Sequence, residues 1–323
     1  MRAAVVPEFG TPDVITVGDV DEPKLQPGEI LVRVAVAGIN FADAGMVSGA
    51  SRRAEPPFVP GVEAAGTVLD AGDGGEFSVG DRVVYWNPLP SAFAEQAAVS
   101  AWRAVKLPDD VTDEVAVSLM VAGTTAHYLA VSTAPLEAGQ SCLIWAAAGG
   151  VGHLLVQIAK LRGARPIAIV GSDEKAEIAL ALGADVAIRY RQEDVVAAVH
   201  AATDGQGVDA VYDSVGAASI ERSFQSTKRL GTCVLYGGSS GAVRVLDTTL
   251  MQAAGSIFFT RPGLGDYLRD GTEYQSRLAD LFEWHQQGEL TPCIGDDVGF
   301  GGVADALTRM AAGTTSGKLL VRP

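Results

Sequence analysis

The sequence is poor in cysteine, and its cysteines are not spaced for metal binding or for pairing. Cys142, Cys233 and Cys293 are the only three, and they form no Cys-x-x-Cys motif. Cys142 and Cys233 fall within apolar runs of the strand type, which predicts inert, buried thiols. Thiols of this kind favour a reducing compartment, so we expect the protein in the cytoplasm.

Basic residues are also scarce. Lys and Arg total 24 against 39 Asp and Glu, which gives a formal net charge of −15, and no Lys/Arg cluster is visible. A nucleic-acid partner requires basic patches that attract its phosphates. The sequence therefore predicts no such partner.

Neither a leader peptide nor a membrane anchor is predicted. Pro7 and Glu8 interrupt the N-terminal segment before a signal-peptide core could form. We also expect no uncharged apolar run of about 18 residues, and hence no membrane-spanning helix.

The composition is that of an ordinary globular protein. Of 323 residues, 48% are hydrophobic and 20% charged, and the length predicts two domains. Roughly the first 120 residues are rich in short strand patterns, such as residues 29–40. From about residue 140, strand and helix patterns alternate, as is typical of a doubly wound parallel sheet. The last helix predicted in this series covers residues 217–231.

The C-terminal part returns to mixed character. Residues 272–290 have the spacing of an amphipathic helix, and the chain ends in an apolar strand at 317–323. We expect this part to pack against the β-rich N-terminal part. The predicted domains are therefore a discontinuous domain, 1–121 and 263–323, and an inserted α/β domain, 122–262.

The segment AAAGGVG, residues 146–152, joins a predicted strand to a predicted helix. Ala147, Gly149 and Gly152 fit the Gly-x-Gly-x-x-Gly frame, with Ala in the first position. The first position makes a tight turn, the second lets the backbone approach a pyrophosphate, and the third lets the helix lie close to the strand. The helix N-terminus adds unpaired N–H groups and partial positive charge. This context predicts a dinucleotide-binding site.

The end of the second strand indicates which dinucleotide binds. An NAD site places Asp or Glu there, but this position holds Gly171. Ser172, Lys175 and residues 189–191 (Arg-Tyr-Arg) supply hydroxyls and cations suited to a 2′-phosphate. Asp173 opposes this, but we expect it to cap the following helix. NADPH is the predicted cofactor, and ordinary solvated charges at a helix start are the alternative interpretation.

Several motifs together resemble the zinc-free quinone oxidoreductases, the zeta-crystallin-like family of the medium-chain dehydrogenase/reductase superfamily. They occur in the family's order over nearly the whole chain. The matching segments are AGINFAD (37–43), PFVPGVEAAGTV (57–68), AAAGGVG (146–152), VYDSVG (211–216), GGSSGAV (237–243), FFTRPGL (258–264) and GKLLV (317–321). The resemblance implies an α/β protein with a GroES-like β-rich catalytic domain, a Rossmann domain and NADPH between them. It also implies a dimer or a tetramer, of which a homodimer is the prediction.

By motif match, the resemblance also implies which residues contact NADPH. Asn40 would lie beside the nicotinamide and its ribose, and it is a candidate catalytic residue. Ser172, Lys175 and Tyr190 would contact the 2′-phosphate. The full implied set is Asn40, Thr124, Ala147, Gly149, Gly150, Val151, Gly152, Gly171, Ser172, Lys175, Tyr190, Ser214, Tyr236, Gly237, Ser239, Phe259 and Lys318.

The zinc-dependent relatives carry a Gly-His-Glu motif, a ligand cysteine in the early loop and a four-cysteine lobe. Here the first motif reads Gly61-Val62-Glu63, residues 37–43 contain no cysteine, and the four histidines are scattered. No tetrahedral nitrogen and sulfur site can be assembled from them, so we expect no metal. Glu63 is expected to be a buried structural acid rather than a catalytic one.

Without a metal, alcohol oxidation lacks its usual stabilisation of the alkoxide. Hydride transfer to an activated acceptor does not require a metal, because the protein needs only to hold the reactants together, exclude water and give the acceptor oxygen a hydrogen bond. We therefore predict an NADPH-dependent oxidoreductase that transfers hydride to a quinone or to an α,β-unsaturated carbonyl compound. Solvent can supply the proton. Tyr128 and His127 are the candidate donors among side chains, and helix packing is their alternative role.

The small-molecule acceptor is less defined. Quinone-reducing relatives often carry tyrosines after residues 40–43, where this chain has Gly45, Met46 and Ser51. This predicts a less aromatic, roomier pocket, with Trp86 and Phe93 either as another wall or as core residues. Two alternatives remain open. One is a biosynthetic enoyl reductase or non-redox enzyme of the same superfamily, and the other is a nucleotide-binding structural protein with little turnover.

Overall fold

The computed structural model describes residues 1–73 and 75–323. The strands are β1 (Arg2–Val5), β2 (Thr16–Asp19), β3 (Glu29–Ile39), β4 (Glu63–Asp70), β5 (Arg82–Trp86), β6 (Gln96–Ser100), β7 (Ala104–Lys106), β8 (Ser141–Trp145), β9 (Arg165–Val170), β10 (Val186–Arg189), β11 (Val208–Asp213), β12 (Thr227–Leu235), β13 (Phe258–Thr260), β14 (Ile294–Gly299) and β15 (Lys318–Arg322). The α-helices are α1 (Phe41–Val47), α2 (Asp113–Ser118), α3 (Thr124–Tyr128), α4 (Gly152–Leu161), α5 (Asp173–Ala181), α6 (Val195–Ala202), α7 (Ile220–Ser226), α8 (Thr248–Ala253), α9 (Gly271–Gln286) and α10 (Val303–Ala311). Leu119–Gly123 and Leu129–Thr133 are π-helical, and Pro12–Val14, Ala101–Arg103, Leu264–Asp266 and Phe300–Gly302 are 3-10 turns.

The described residues divide into two compact units. The first contains residues 1–123, 268–286 and 292–323, and the second contains residues 124–267 and 287–291. The predicted boundaries at 121/122 and 262/263 lie close to these limits. As domain boundaries they stay a prediction.

The second unit is built on a parallel sheet. Its six strands, all between residues 141 and 260 where every residue is described, follow the order β10-β9-β8-β11-β12-β13, and each neighbouring pair is parallel. Numbered within the sheet, this is the order 3-2-1-4-5-6 of the Rossmann fold. Leu143 and Ile167 at its centre are fully buried, as expected for a sheet covered on both faces. The predicted doubly wound sheet is confirmed.

This strand order determines where a ligand can bind. The chain leaves β8 for β9 on one side, and β11 later pairs with β8 on the other. Because all the strands are parallel, the loops that follow them meet at one edge of the sheet. In open α/β sheets, ligands bind at that edge, beside the point where the strand order reverses.

The first unit contains a mostly antiparallel sheet. Its order is β14-β15-β3-β4-β5-β7, and β6 also pairs with β3. The pairing of β15 with β3 places Leu319 opposite Ile39 and Leu320 opposite Gly38. Continuing this antiparallel register by one residue brings Lys318 to Asn40, which follows β3. Pairing of β15 with β3 therefore places Lys318 beside the C-terminal end of β3.

The helix predicted over residues 217–231 is too long. Helix α7 covers only Ile220–Ser226, and β12 begins at Thr227. Thr227 pairs with Val208 of β11, and its hydroxyl donates to Ser223 O at 2.7 Å. The prediction was wrong here because a β-branched residue in register with a central strand overrides the local helical spacing.

The helical segment at residues 113–133 corrects the expectation that the chain has no long apolar run. It is helical, and by length and composition it is long and apolar enough to cross a membrane. The expectation that no such run exists was wrong, because residues 115–132 contain no Asp, Glu, Lys or Arg. In the structure, 78% of its most apolar 18-residue window is buried within the protein. That burial is typical of a core helix.

Candidate functional site

The turn that links β8 to α4 is compact and free of large side chains. Ala146 adopts a left-handed conformation, with φ of 52°, and its carbonyl accepts a hydrogen bond from Gly149 N at 2.8 Å. A Cβ on Gly152 would collide with this carbonyl and would lie 2.8 Å from Ala147 Cα. Glycine at 152 therefore allows the helix to begin this close to the strand. The tight bend lies at Ala146, one residue before the position that the sequence frame assigns to it.

The same turn brings Gly149 close to Ala146. Among the described residues, a Cβ there would meet only Ala146, with its carbonyl oxygen at 3.2 Å. Gly150 and Val151 complete the turn, so the predicted phosphate-binding residues are contiguous in space. At the start of α4, His153 N already donates to Gly149 O at 3.1 Å and Leu154 N to Val151 O at 3.2 Å, so the N–H groups predicted to meet a phosphate are those of the preceding residues 150–152. With the positive end of the helix dipole, they favour a bound diphosphate.

The end of β9 carries hydroxyl and cationic groups. Gly171 lies against Tyr190, since a Cβ on Gly171 would be 3.2 Å from the tyrosine ring. Ser172 caps α5, and its Oγ accepts a hydrogen bond from Lys175 N at 3.3 Å. Arg191 lies over the Tyr190 ring, 5.6 Å from its centroid. Burial lowers the pKa of Lys175, and the positive charge of Arg191 lowers it further. Two cations held this close together favour an anion beside them.

Asp173 does not cap α5, contrary to the prediction. Ser172 holds the capping position, and Asp173, the first helical residue, forms an ion pair with Arg189 at 2.9 Å. Arg189 also pairs with Glu193 at 2.8 Å. Two carboxylates therefore engage Arg189, and the roles of Lys175 and of residues 189–191 at a 2′-phosphate stay predictions.

The loops after β11 and β12 lie against each other, backbone to backbone. Ser239 N donates to Ser214 O at 3.1 Å. A Cβ on Gly237 would lie 2.8 Å from Ser214 Cα. Burial raises the pKa of Tyr236, and a hydrogen bond with Ser214 opposes the shift. The structure thus brings together four residues that were predicted to line the cofactor.

Asp213, which the sequence analysis missed, anchors the first of these loops. Its Oδ1 accepts hydrogen bonds from Val215 N at 2.7 Å and Gly216 N at 3.1 Å. The hydroxyls of Ser219 and Ser223 also donate to this fully buried carboxylate, at 2.6–2.8 Å. Charge-assisted bonds of this number hold a loop rigidly. The available signal was an Asp at a strand end followed by glycine and serines.

Three predicted residues lie apart from these loops. Phe259 lies within β13 and packs edge-on against Phe224, with ring centroids 5.6 Å apart. Tyr128 is only 2% exposed and stacks on Tyr267, with centroids 4.2 Å apart. Thr124 in α3 is fully buried. These contacts indicate packing, and the predicted roles in binding or catalysis stay predictions.

In the first unit, Asn40 belongs to a buried polar cluster. Lys318 Nζ forms an ion pair with Glu63 and donates to Asn40 Oδ1 at 2.8 Å. Asn40 Nδ2 donates to Glu63 Oε1 at 2.7 Å. Glu63 is fully buried, as expected, and Lys318 is 2% exposed. The ammonium group therefore contacts protein acceptors, and the cofactor contact implied for Lys318 stays a prediction.

The side chains predicted to shape the acceptor pocket are mostly core residues. Met46, Trp86 and Phe93 are 1%, 5% and 0% exposed, so the interpretation as core residues is the correct one. Gly45 and Ser51 are half-buried, and Ser51 N donates to Gly45 O at 2.9 Å. These two remain candidates for a small-residue lining.

Asp43 is a second residue that the sequence analysis missed. It is fully buried in α1, and its Oδ2 accepts a hydrogen bond from Asn40 N at 2.6 Å. Its Oδ1 has no hydrogen-bond partner among the described residues. Burial raises the pKa of Asp43 to about 7, opposed by the Asn40 N–H and the charge of Lys318. A carboxyl group that titrates near neutral pH therefore lies directly against Asn40.

Comparisons with known proteins identify the family. The family model described as alcohol dehydrogenase GroES-like domain matches residues 26–136, and the model described as zinc-binding dehydrogenase matches residues 150–271. The quinone oxidoreductase of Pseudomonas aeruginosa is 34% identical, and the match covers 98% of this chain and 97% of that protein. This chain belongs to the quinone oxidoreductase family. The predicted membership of the medium-chain dehydrogenase/reductase superfamily is confirmed.

Two further relatives of this quinone oxidoreductase chain extend over its whole length. The 2-haloacrylate reductase of a Burkholderia species is 34% identical and covers 100% of this chain and 99% of its own. The crystal structure of the Escherichia coli quinone oxidoreductase complexed with NADPH superimposes with a TM-score of 0.97 at 32% identity, covering 100% of both chains. The predicted combination of a GroES-like domain with a Rossmann domain is therefore confirmed.

One family model carries zinc binding in its description, so the arrangement of possible ligands is relevant. Among the described residues, no group of three or more His, Cys, Asp or Glu side chains is placed to hold a metal ion. The zinc-free chemistry expected from the sequence stays a prediction.

Asp43→Asn should make the protein's stability less dependent on pH. The carboxyl pKa is 3.8 ordinarily and about 7 when folded, so the folded state holds an extra proton between these values. The free energy of unfolding should therefore fall as pH rises through this window, by up to about 1.4 kcal/mol per pH unit, and level off above it. The variant should lack this fall. The measurement is urea unfolding of the wild type, of Asp43→Asn and of the control Glu8→Gln from about pH 5 to about pH 8. If the free energy of unfolding changed equally with pH in all three proteins, the argument from the burial of Asp43 would be contradicted.

Proposed function

We propose that this protein is a zinc-independent, NADPH-dependent oxidoreductase. Its acceptor is a quinone or the activated double bond of an α,β-unsaturated carbonyl compound. The observation that carries the proposal is the polar edge of the parallel sheet, where a glycine turn is joined by Lys175 and Arg191 at the ends of the next strands. The names of two relatives, a quinone oxidoreductase and a 2-haloacrylate reductase, support an electron-poor acceptor.

The residues at this edge fit NADPH. The turn from Ala146 to Gly152 carries no side chain larger than that of Val151, so its backbone N–H groups can contact a diphosphate. Gly171 places no carboxylate against a 2′-phosphate, while Lys175 and Arg191 place two cations nearby. The Escherichia coli relative, crystallised with NADPH, supports the same assignment.

NADPH, when bound, supplies a hydride. The turn at residues 146–152 is proposed to seat the phosphates, and Asn40 is the predicted contact of the nicotinamide half. The chain's own residues need to hold the two reactants together and exclude water. Because Tyr128 is stacked and buried, we propose that solvent supplies the proton that completes the reduction.

The first test is turnover without metal. Protein dialysed against EDTA should oxidise NADPH when given benzoquinone or 2-chloroacrylate, because no step requires a Lewis acid. The measurement is the loss of NADPH absorbance. Activity that disappears with chelation and returns with zinc would contradict the proposal. Tight NADPH binding without turnover on any acceptor would favour a nucleotide-binding protein instead.

Lys175→Ala tests the choice of cofactor. Loss of one charge-assisted contact to the 2′-phosphate should weaken NADPH binding by about 1–2 kcal/mol, or roughly 5- to 30-fold. NADH binding should change little, because it lacks that phosphate. Lys160→Ala is the matched control, since Lys160 is a surface lysine of the same unit paired with Asp185 at 3.1 Å. Titration calorimetry that shows equal losses for NADPH and NADH would remove the argument for the phosphate site.

We also infer that the protein is a homodimer. Strand β13 ends the parallel sheet, and its residue Phe258 is 63% exposed. An unpaired strand edge with an exposed aromatic side chain favours pairing with a second copy. Sedimentation should give the mass of two chains, and Phe258→Lys should shift the protein toward one chain because a charge at the edge opposes pairing. A wild-type protein that sediments as one chain would contradict this.

A cytoplasmic location is the natural setting for this chemistry. Cys142 and Cys233 are free and buried, as reducing conditions favour. NADPH is also an intracellular reductant, so cofactor and thiols support the same proposal.

A further inference from the structure

The carbonyl group of Gly149 is held by two donors inside the turn that joins β8 to α4. It accepts a hydrogen bond from the His153 backbone N–H at 3.1 Å, and the ring Nδ1 of His153 lies 2.9 Å from the same oxygen. A carbonyl oxygen has two lone pairs and can only accept, so the imidazole must carry a hydrogen on Nδ1. One residue of α4 therefore supplies both donors to Gly149 O.

A second carbonyl of this turn is also turned inward. Ala146 O accepts a hydrogen bond from Gly149 N at 2.8 Å, and Ala146 adopts the left-handed conformation. Carbonyl oxygens carry partial negative charge and would repel a diphosphate, whereas N–H groups attract it. Because both oxygens are bonded within the turn, the backbone groups predicted to meet a phosphate are the N–H groups of residues 150–152.

His153 is itself held in place by the next turn of α4. Its backbone carbonyl accepts a hydrogen bond from Gln157 Nε2 at 3.0 Å. The buried carboxamide of Gln157 also pairs with both backbone groups of Thr291, since its Oε1 accepts Thr291 N at 2.8 Å and its Nε2 donates to Thr291 O at 3.0 Å. The helix cannot rotate or slide at His153 without breaking these bonds between buried groups. The imidazole therefore has a defined position relative to Gly149.

Packing alone does not account for a histidine at this position. His153 is 0% exposed, as are its apolar neighbours Leu154 and Leu155. Burying an imidazole costs free energy of desolvation that an apolar side chain of similar size would not. The polar ring lies where its Nδ1 hydrogen reaches a carbonyl of the glycine turn. A role in shaping that turn explains the choice of residue.

We propose that His153 is a positioning residue, whose imidazole holds the Gly149 carbonyl inside the turn so that the N–H groups of residues 150–152 are preorganised for a diphosphate. This proposal rests on the proposed function, since it requires a dinucleotide as the ligand. The hydrogen bond from Nδ1 also directs the positive end of the N–H dipole toward the turn, which opposes the negative charge of Gly149 O. All these residues belong to the second unit, and His153 acts through Gly149.

His153→Leu tests the positioning role, because leucine fills a buried site but cannot donate to Gly149 O. We expect the Kd for NADPH to rise about fivefold, as for the loss of one hydrogen bond. The Kd for adenosine 2′-monophosphate, which has the 2′-phosphate but no diphosphate, should stay within about twofold. His153→Asn should restore the affinity for NADPH, since the amide N–H of asparagine extends about as far from the backbone as Nδ1. Titration calorimetry measures each Kd.

His200→Leu is the matched control. His200 lies in α6 of the same unit, and its ring nitrogens are each 3.0 Å from a backbone carbonyl oxygen, those of Gly205 and Gln225. This variant removes the same kind of hydrogen bond outside the glycine turn, so it should change neither Kd. If His153→Leu fails to fold, His153→Met takes its place, because the flexible methionine side chain adapts to an irregular cavity and cannot donate.

The outcomes separate the two claims. A wild-type protein that does not bind NADPH overturns the proposed function. Wild-type binding of NADPH, with the same affinity in folded His153→Leu or His153→Met, overturns the positioning role. Equal weakening of both ligands also overturns it, because a purely structural role would affect the whole site. A folded His153→Asn variant that binds NADPH as weakly as His153→Leu overturns it as well.

Discussion

The loops at the polar edge of the parallel sheet pack so closely that some positions have no room for a side chain. These close backbone contacts determine the shape of that edge. At Gly152 the first turn of α4 meets the carbonyl of Ala146, and at Gly237 one loop meets the backbone of Ser214. Residues without side chains allow these segments to approach each other this closely. The cations after β9 and β10 then lie where the strands end, because every strand of this sheet runs in the same direction. The electrostatic character of the edge follows from this packing.

The first unit contains a buried carboxylate, that of Glu63. In zinc-dependent relatives the glutamate follows a histidine in a Gly-His-Glu motif, whereas here Val62 precedes Glu63. The charge of Glu63 is balanced by Lys318, which lies 255 residues away in the chain. The Asn40 side chain contacts both charged groups, since its Nδ2 donates to Glu63 and its Oδ1 accepts from Lys318. The unit thus connects its N-terminal and C-terminal segments through one polar cluster, and Asp43 adds a carboxyl that titrates near neutral pH.

The chemistry proposed for the protein requires no metal ion in its active site. A quinone and a conjugated alkene both accept hydride at carbon while an oxygen collects the charge, so neither needs a metal to activate it. Gly45 and Ser51 are small and half-buried, and a roomier acceptor pocket beside them stays a prediction.

The sequence by itself determined the features that depend on neighbouring residues. The alternation of strand and helix and the glycine turn at 146–152 are local patterns that led to the correct fold, and the lack of an acid at Gly171 is a local pattern that led to the prediction of NADPH. Tertiary structure alone decided the rest. Thr227 joins a strand, Asp43 is buried, and Lys318 forms an ion pair with Glu63. These outcomes depend on groups far apart in the chain, where strand register and the desolvation of charge outweigh any local preference.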